Sequence, residues 1–282
     1  MRVGGWRLLL AGAALMAVTS AGWGQEGLPA RERTAAGGYV GFDKDDYPGN
    51  GALAALHRSF AFTGFWLNNP PGMKANPWAG KRATVREAGF GFLILFNGRL
   101  DAQLKGQDAA ALGREDAAAA LNTAEREGFP RGAVIFLDQE EGGTLLAEQA
   151  AYLGAWIAGL KKSGYRAGIY CSGIRVGAGA KQVSTAEDVA ARWPEVKLWV
   201  WNDVCPPSPG CVVGRAPNPV KSGTPNAWVW QYARSPRSRE GTESCRETYA
   251  ADNGCYAPGL ERSSAAWVDL DVSGSEDPSR GR

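Results

Sequence analysis

The stretch GAVIFLDQEEGG, residues 132–143, is an apolar run that ends in three carboxylates within four positions. Val134–Leu137 has the continuous apolar character of a strand buried on both faces, as in parallel sheets with helices outside. Side chains alternate along a strand, so Val134, Phe136, Asp138 and Glu140 share one face, and Ile135, Leu137 and Gln139 the other. The aliphatic face suits packing against outer helices. The acidic face must then point inward, toward the strand's C-terminal end. Glu141 has the opposite parity and is expected to be structural or solvated.

Working outward, similar strand-like runs recur at 38–43, 62–67, 90–96, 165–172, 197–203, 227–233 and 267–273. Helical spacing fills 52–60, a helix around 81–88, the Ala-rich 107–127, then 144–162 and 185–193. Eight strands, most followed by a helix, predict a parallel sheet with helices outside. That count and size match an α/β, (β/α)8 TIM-type barrel over 37–273, irregular in its last strand–helix units, with 274–282 a disordered tail. An open doubly wound sheet is the alternative, but no G-x-G-x-x-G turn follows the first strand.

The 282-residue chain opens with Arg2 and Arg7, an apolar Leu8–Val18 and the small residues Thr19–Gly22. That order reads as a secretory signal peptide over 1–24, cleaved after Ala21 or Gly24. Its apolar core is shorter than the ~20 residues a membrane span needs. A secreted or periplasmic protein without stable membrane insertion, acting as a monomer, is expected. Apart from Arg2 and Arg7, Lys and Arg equal Asp and Glu in number, and no dense basic run marks a nucleic-acid surface. Five cysteines fit an oxidising compartment. Cys205 with Cys211 and Cys245 with Cys255 each bracket a short loop, and two local disulfides are the preferred pairing. Cys171 lies in a strand and reads as a buried free thiol. A zinc site is the weaker reading, because the only histidine is His57, read as a packing or surface residue.

Parity places further acids on the inward face. In YVGFD, Tyr39, Gly41 and Asp43 face inward; in WVDLDV, Trp267, Asp269 and Asp271 do. Asp43, Asp138, Glu140, Asp269 and Asp271 therefore converge at the C-terminal mouth, where barrels of this kind place their active sites. Carboxylates so crowded repel one another, which raises the pKa of some of them. Strand-end aromatics, Trp66, Tyr170, Trp201, Trp230 and Tyr232, with Asp203 beside them, are candidates for sugar contact. No Ser-His-Asp or histidine-rich metal apparatus competes. No cofactor and no metal are assigned, although hard-ion binding by the acids is a third possibility.

GFDKDDYPG (41–49), LDQE (137–140), WQY (230–232) and VDLDV (268–272) together resemble the family 25 glycoside hydrolases. More closely, the chain resembles secreted bacterial glycoside-hydrolase-like domains related to that family, in motif order over nearly all of 37–273. The resemblance implies a lysozyme-like barrel that hydrolyses β-1,4 links in N-acetylated cell-wall polysaccharide such as peptidoglycan. Carried over by motif, Glu140 would be the general acid and Asp138 would assist the substrate's 2-acetamido group, with Asp43 and Asp269 as the matching acids of the first and eighth strands. Two positions depart from the pattern: Asp271 stands where an amide is common, and WND (201–203) replaces Trp, a small residue and Tyr. A non-catalytic polysaccharide-binding barrel of the cell envelope is the alternative function.

Overall fold

A computed structural model describes residues 38–179, 182–202, 218–233 and 268–282. The strands are β1 (Tyr39–Asp43), β2 (Phe62–Trp66), β3 (Gly91–Asn97), β4 (Val134–Gln139), β5 (Arg166–Ser172), β6 (Lys197–Trp201), β7 (Ala227–Ala233) and β8 (Asp269–Ser273). The helices are α1 (Asn50–His57), α2 (Arg82–Glu87), α3 (Asp101–Leu104), α4 (Ala109–Glu127), α5 (Ala147–Lys162) and α6 (Thr185–Arg192). The eight strands close into a barrel in chain order, which confirms the expected (β/α)8 architecture.

Local chemistry explains the element ends. Asp108 caps α4 by accepting from the Ala111 N–H at 2.9 Å, and Gly128 ends it at φ 81°, where a residue without a Cβ is unstrained. Ser184 and Glu187 form a reciprocal capping box that starts α6. Every residue of β4 is buried, as its apolar run predicts. Inside the barrel, large rings lie over glycines: a Cβ at Gly41 would overlap the Phe62 ring, and one at Gly168 the Phe136 ring. Trp199 packs edge-on against Phe136 at 5.8 Å and tilted against Tyr170 at 4.6 Å. These rings form an apolar floor below the mouth.

The eighth strand differs from a regular barrel. β1 to β7 are parallel neighbours, but β8 runs antiparallel to both β7 and β1. It enters at the mouth, so its first residue, Asp269, lies opposite Asp43, and Asp271 lies two residues deeper opposite Gly41. The eighth-strand acids therefore reach the mouth from the N-terminal end of their strand, not from its C-terminal end.

The sequence reading of 274–282 as a disordered tail is corrected. This segment crosses the opposite end of the barrel and wedges between the starts of β3 and β4. Those two strands pair only from Ile94↔Ile135 onward, which leaves backbone groups below that point needing partners. Ser279 supplies three: its hydroxyl accepts from the Ile94 N–H (2.9 Å), its carbonyl from the Val134 N–H (2.8 Å), and its own N–H donates to the Phe92 carbonyl (2.9 Å). Asp277 accepts from the Phe92 N–H at 2.9 Å, and the Arg82 guanidinium donates to the Gly281 carbonyl at 2.7 Å. Polarity in this segment marks hydrogen bonding to strand ends, not exposure.

Truncation after Ser273 is expected to leave the Phe92, Ile94 and Val134 N–H groups without these acceptors. At about 1–3 kcal/mol per unmet buried donor, Tm should fall by on the order of 10 °C. Ser279→Ala, which removes only the hydroxyl, should cost about 1 kcal/mol. Thermal denaturation followed by circular dichroism checks both, and an unchanged Tm on truncation would overturn the structural role.

Candidate active site

Three carboxyls at the mouth are almost wholly buried: Asp43 at 8% exposure, Asp138 at 6% and Asp271 at 0%. Asp269 is half-buried, and Glu140, one residue beyond β4, is exposed. Hydrogen bonds tie two of them, Asp43 and Asp271, to side chains of β7 and β6. The Gln231 amide, on β7, donates to Asp43 Oδ2 at 2.8 Å, and its carbonyl accepts from the Tyr170 hydroxyl at 2.8 Å. The Trp199 indole N–H donates to Asp271 Oδ1 at 2.9 Å. Gly64 of β2 makes room for Asp43, because a Cβ there would lie 2.8 Å from the Asp43 Cβ.

The electrostatics show which groups share this space. Burial, then the charges of Asp43, Asp138, Asp269 and Glu140, pushes the Tyr170 phenol well above its usual range. One phenol thus feels four of the five proposed acids. Burial also raises Asp138 well above the ordinary carboxyl range, followed by the charges of Glu140, Asp43 and Asp45. Asp271 is raised likewise by burial first, then by Asp43 and Asp269, against the opposing hydrogen bond from Trp199. None of the groups acting on these three is a Lys or Arg. Burying a charge without an opposite partner is costly, which is why both carboxyls are shifted toward the neutral form. Among the described residues, no group of three or more His, Cys, Asp or Glu has the arrangement of a metal site.

The end of β4 is held firmly. The Glu141 carboxylate accepts from the Asp101 N–H at 2.8 Å and from the side-chain amides of Gln149 at 2.6 Å and Gln139 at 3.3 Å. Its carbonyl accepts from the Thr185 hydroxyl at 3.2 Å. Glu141 is structural, as its parity predicts, and it fixes the backbone from which Glu140 projects. Asp138 Oδ1 is buried and has no hydrogen-bond partner among the described residues. Asp138 and Glu140, two positions apart and so on one strand face, set a buried carboxyl beside an exposed one.

The structure brings Asp43, Asp138, Glu140, Asp269, Asp271 and Tyr170 together. Trp201 ends β6 half-buried, two positions after Trp199 and so on the same strand face. Three aromatic assignments change. Trp66 is buried and donates to the Lys44 carbonyl at 3.2 Å, holding the loop after β1 and offering no open ring to a sugar. Trp230 is buried and donates to the Asn202 carbonyl at 3.1 Å. It pairs with Val200 and Val272, on the face opposite Gln231. Tyr232 is buried beside it, where the β7–β8 register shifts, with its ring 5.9 Å from Trp230. The polar contacts of Gln231 claim the inward position, so strand alternation turns Trp230 away, while Tyr232 sits at the register shift, near enough to Asp271 for that charge to raise its phenol. Asp203, Cys205, Cys211, Cys245, Cys255 and Trp267 lie outside the described residues. Cys171 is a buried free thiol, and His57 packs edge-on against Phe90 at 4.9 Å, both as expected.

Gln231 and Trp199 are the functional residues that the sequence reading missed. A signal existed for each: Gln231 is a lone polar residue inside the apolar run AWVWQYA, and Trp199 shares parity with Trp201.

The raised Asp138 makes a prediction about stability. Its folded pKa exceeds the unfolded value of about 3.9, so between those values the native state keeps a proton that the unfolded chain has lost. Its contribution is complete below about pH 4 and is lost as pH rises through the folded pKa. Asp138→Asn is therefore expected to flatten the fall of Tm as pH rises above about 4 and to raise Tm on the alkaline side of that fall. Melting curves across that range test this, and an unaltered pH dependence would contradict a protonated Asp138.

The family model described as Rv2525c-like, glycoside hydrolase-like domain matches residues 60–242. Solved structures show the same fold at low identity. An uncharacterized B. stearothermophilus protein is 21% identical with a TM-score of 0.55, covering 84% of this chain and 96% of that one. The Tat-secreted protein Rv2525c of Mycobacterium tuberculosis, in complex with L-tartrate, is 13% identical with a TM-score of 0.51, covering 83% and 95%. A family 25 glycosyl hydrolase from Bacillus anthracis is 13% identical with a TM-score of 0.50, covering 85% and 90%. No curated protein matches the sequence. With the family model spanning well over half of the chain, this protein belongs to the Rv2525c-like, glycoside hydrolase-like domain family.

Proposed function

We propose that this protein hydrolyses β-1,4 links in N-acetylated cell-wall polysaccharide, with peptidoglycan the first candidate. The observation that carries the reading is the pairing of exposed Glu140 with buried Asp138 on one face of β4 and its extension. Glycoside hydrolysis needs one acid to protonate the leaving oxygen and a second group to stabilise positive charge at the anomeric carbon. In the substrate-assisted form, the acetamide oxygen attacks that carbon, and no enzyme nucleophile is required.

In this mechanism the Asp138 carboxyl accepts the acetamide N–H and orients the acetamide oxygen toward the anomeric carbon. Glu140, open to the mouth, gives its proton to the glycosidic oxygen as the bond breaks. It then takes a proton from the water that opens the cyclic intermediate. Asp43, Asp269 and the rim aromatic Trp201 line the sugar's path, while Tyr170 and Gln231 hold Asp43 in place. The family 25 relationship of the fold supports this reading. The chemistry also suits a monomer acting outside the cytoplasm, exported by a leader over 1–24. Among the described residues, no helix is long and apolar enough to cross a membrane.

Incubation with peptidoglycan and with chitin oligomers should release new reducing ends from the former. Glu140→Gln should lower the rate by about 10²–10⁴-fold while glycan pull-down persists. Binding without any release, where a lysozyme control is active, would favour the non-catalytic binding barrel. Wild-type rates in Glu140→Gln would remove Glu140 from the role of acid.

A further inference from the structure

Two leucines of this chain stand at helix starts with about half of their surface in water. Leu100 precedes α3 at 51% exposure and Leu146 precedes α5 at 50%. Both occupy the N-cap, where Ser, Thr, Asp or Asn offers an oxygen to the first free N–H groups and leucine offers none. The rest of the cap is present each time: three residues on, Gln103 accepts from the Leu100 N–H and Gln149 from the Leu146 N–H, both at 2.8 Å. α4 and α6 show the ordinary solution, with Asp108 and Ser184 as capping oxygens. The same departure, in the same L-x-x-Q spacing, thus exposes apolar surface twice where a polar residue would be more stable. Local misfits of that kind gather at functional positions.

The two leucines belong to one patch. Glu141 Oε2 accepts from the Asp101 N–H at 2.8 Å, next to Leu100, and from the Gln149 amide at 2.6 Å, whose oxygen holds Leu146. Val176, 45% exposed in the loop after β5, lies against the β4–α5 loop: a Cβ on Gly143 would come within 2.8 Å of its Cγ2. Among the described residues, the other large aliphatics left exposed are Ile174 and Val220. All five lie on segments that follow β3, β4, β5 or β6, and so at the mouth end of the barrel. Exposed apolar side chains scattered singly need no explanation, but these are gathered beside the residue that follows the proposed acid.

We propose that Leu100, Leu146 and Val176 form a subsite for a short peptide with aliphatic side chains, carried by the glycan beside the link that is cut. The inference rests on the glycosidase reading and narrows its substrate to a peptide-bearing strand. Sugar rings stack on flat aromatic faces, and this patch offers only branched aliphatic ones, which suit methyl and branched side chains. Charge disfavours an anionic lipid surface. Among the described residues of these loops, Arg99 and Arg175 are committed to Asp116 and Glu187, which leaves Lys105 against Asp101, Glu140 and Glu148. Continuity with the cleft favours a group on the substrate itself over a separate partner, because Glu141, tied to both leucines, directly follows Glu140. Peptidoglycan strands carry such peptides and chitin does not.

Leu100→Ser and Leu146→Ser, made together, turn both starts into S-x-x-Q capping boxes, so Tm should equal or exceed that of the wild type. KM and glycan pull-down are measured on soluble peptidoglycan strands and on the same strands stripped of peptide by an amidase. The wild type should show a KM about tenfold lower on the peptide-bearing strands, the size of effect expected from burying an aliphatic side chain. The double variant should lose that preference in both KM and pull-down. Equal wild-type binding to the two glycans would overturn the subsite, and so would a preference retained by the variant. A fall in Tm would overturn it as well, since the leucines would then serve packing. Sedimentation of the wild type as a dimer that the two substitutions dissociate would give the patch to a second copy instead. Leucine-dependent preference in pull-down without hydrolysis of either glycan would sink the glycosidase reading alone. Hydrolysis of both glycans at equal KM would sink the peptide subsite alone.

Discussion

β8 runs against its two neighbours, β1 and β7, and the carboxylate contacts at the mouth follow from that pairing. An eighth strand parallel to the rest would bring its last residues, Val272 and Ser273, to the mouth. The antiparallel return presents its first residue there instead. Asp269 thereby lies opposite Asp43, and Asp271 falls one layer down, where the Trp199 indole can reach it. The same reversal carries the chain to the far end of the barrel after Ser273. There, residues 274–282 fill the gap between β3 and β4.

The two ends of the barrel solve opposite problems. At the far end, backbone N–H groups of β3 and β4 lack strand partners, and a polar segment supplies acceptors. At the mouth, side-chain acceptors outnumber donors. Gln231 and Trp199 contribute two N–H groups, fewer than the acceptors present. Below the acids lies a floor of Phe62, Phe136 and Trp199 rings, which leaves the buried carboxyls poorly solvated from beneath. That placement, more than the count of acids, raises Asp138 and Asp271, since burial is the first cause for each. The exposed acid, Glu140, projects from a backbone that Glu141 ties to α3, α5 and α6 through Asp101, Gln149 and Thr185.

Alternation along single strands made much of this legible in advance. The barrel follows from eight strand-like runs with helical spacing between them. The inward direction of Asp43, Asp138 and Asp271 follows from parity, and so does the structural role of Glu141. The aromatic assignments failed where the same rule was not carried through. Gln231 follows Trp230, so an inward glutamine turns that ring away. Trp66 has inward parity but lies under the loop that follows β1. A ring at a strand end is a sugar platform only if nothing covers it, and periodicity carries no information about cover.

The sequence by itself determined the strand count, the helices between strands, and which side chains of each strand face the interior. These are local properties, set by side-chain alternation, helical spacing and capping residues. Only the tertiary structure decided the direction of β8, the docking of 274–282 and the partners of each buried carboxyl. Those depend on which strand lies beside which, a relation between residues as far apart as Asp43 and Gln231 that no local pattern encodes.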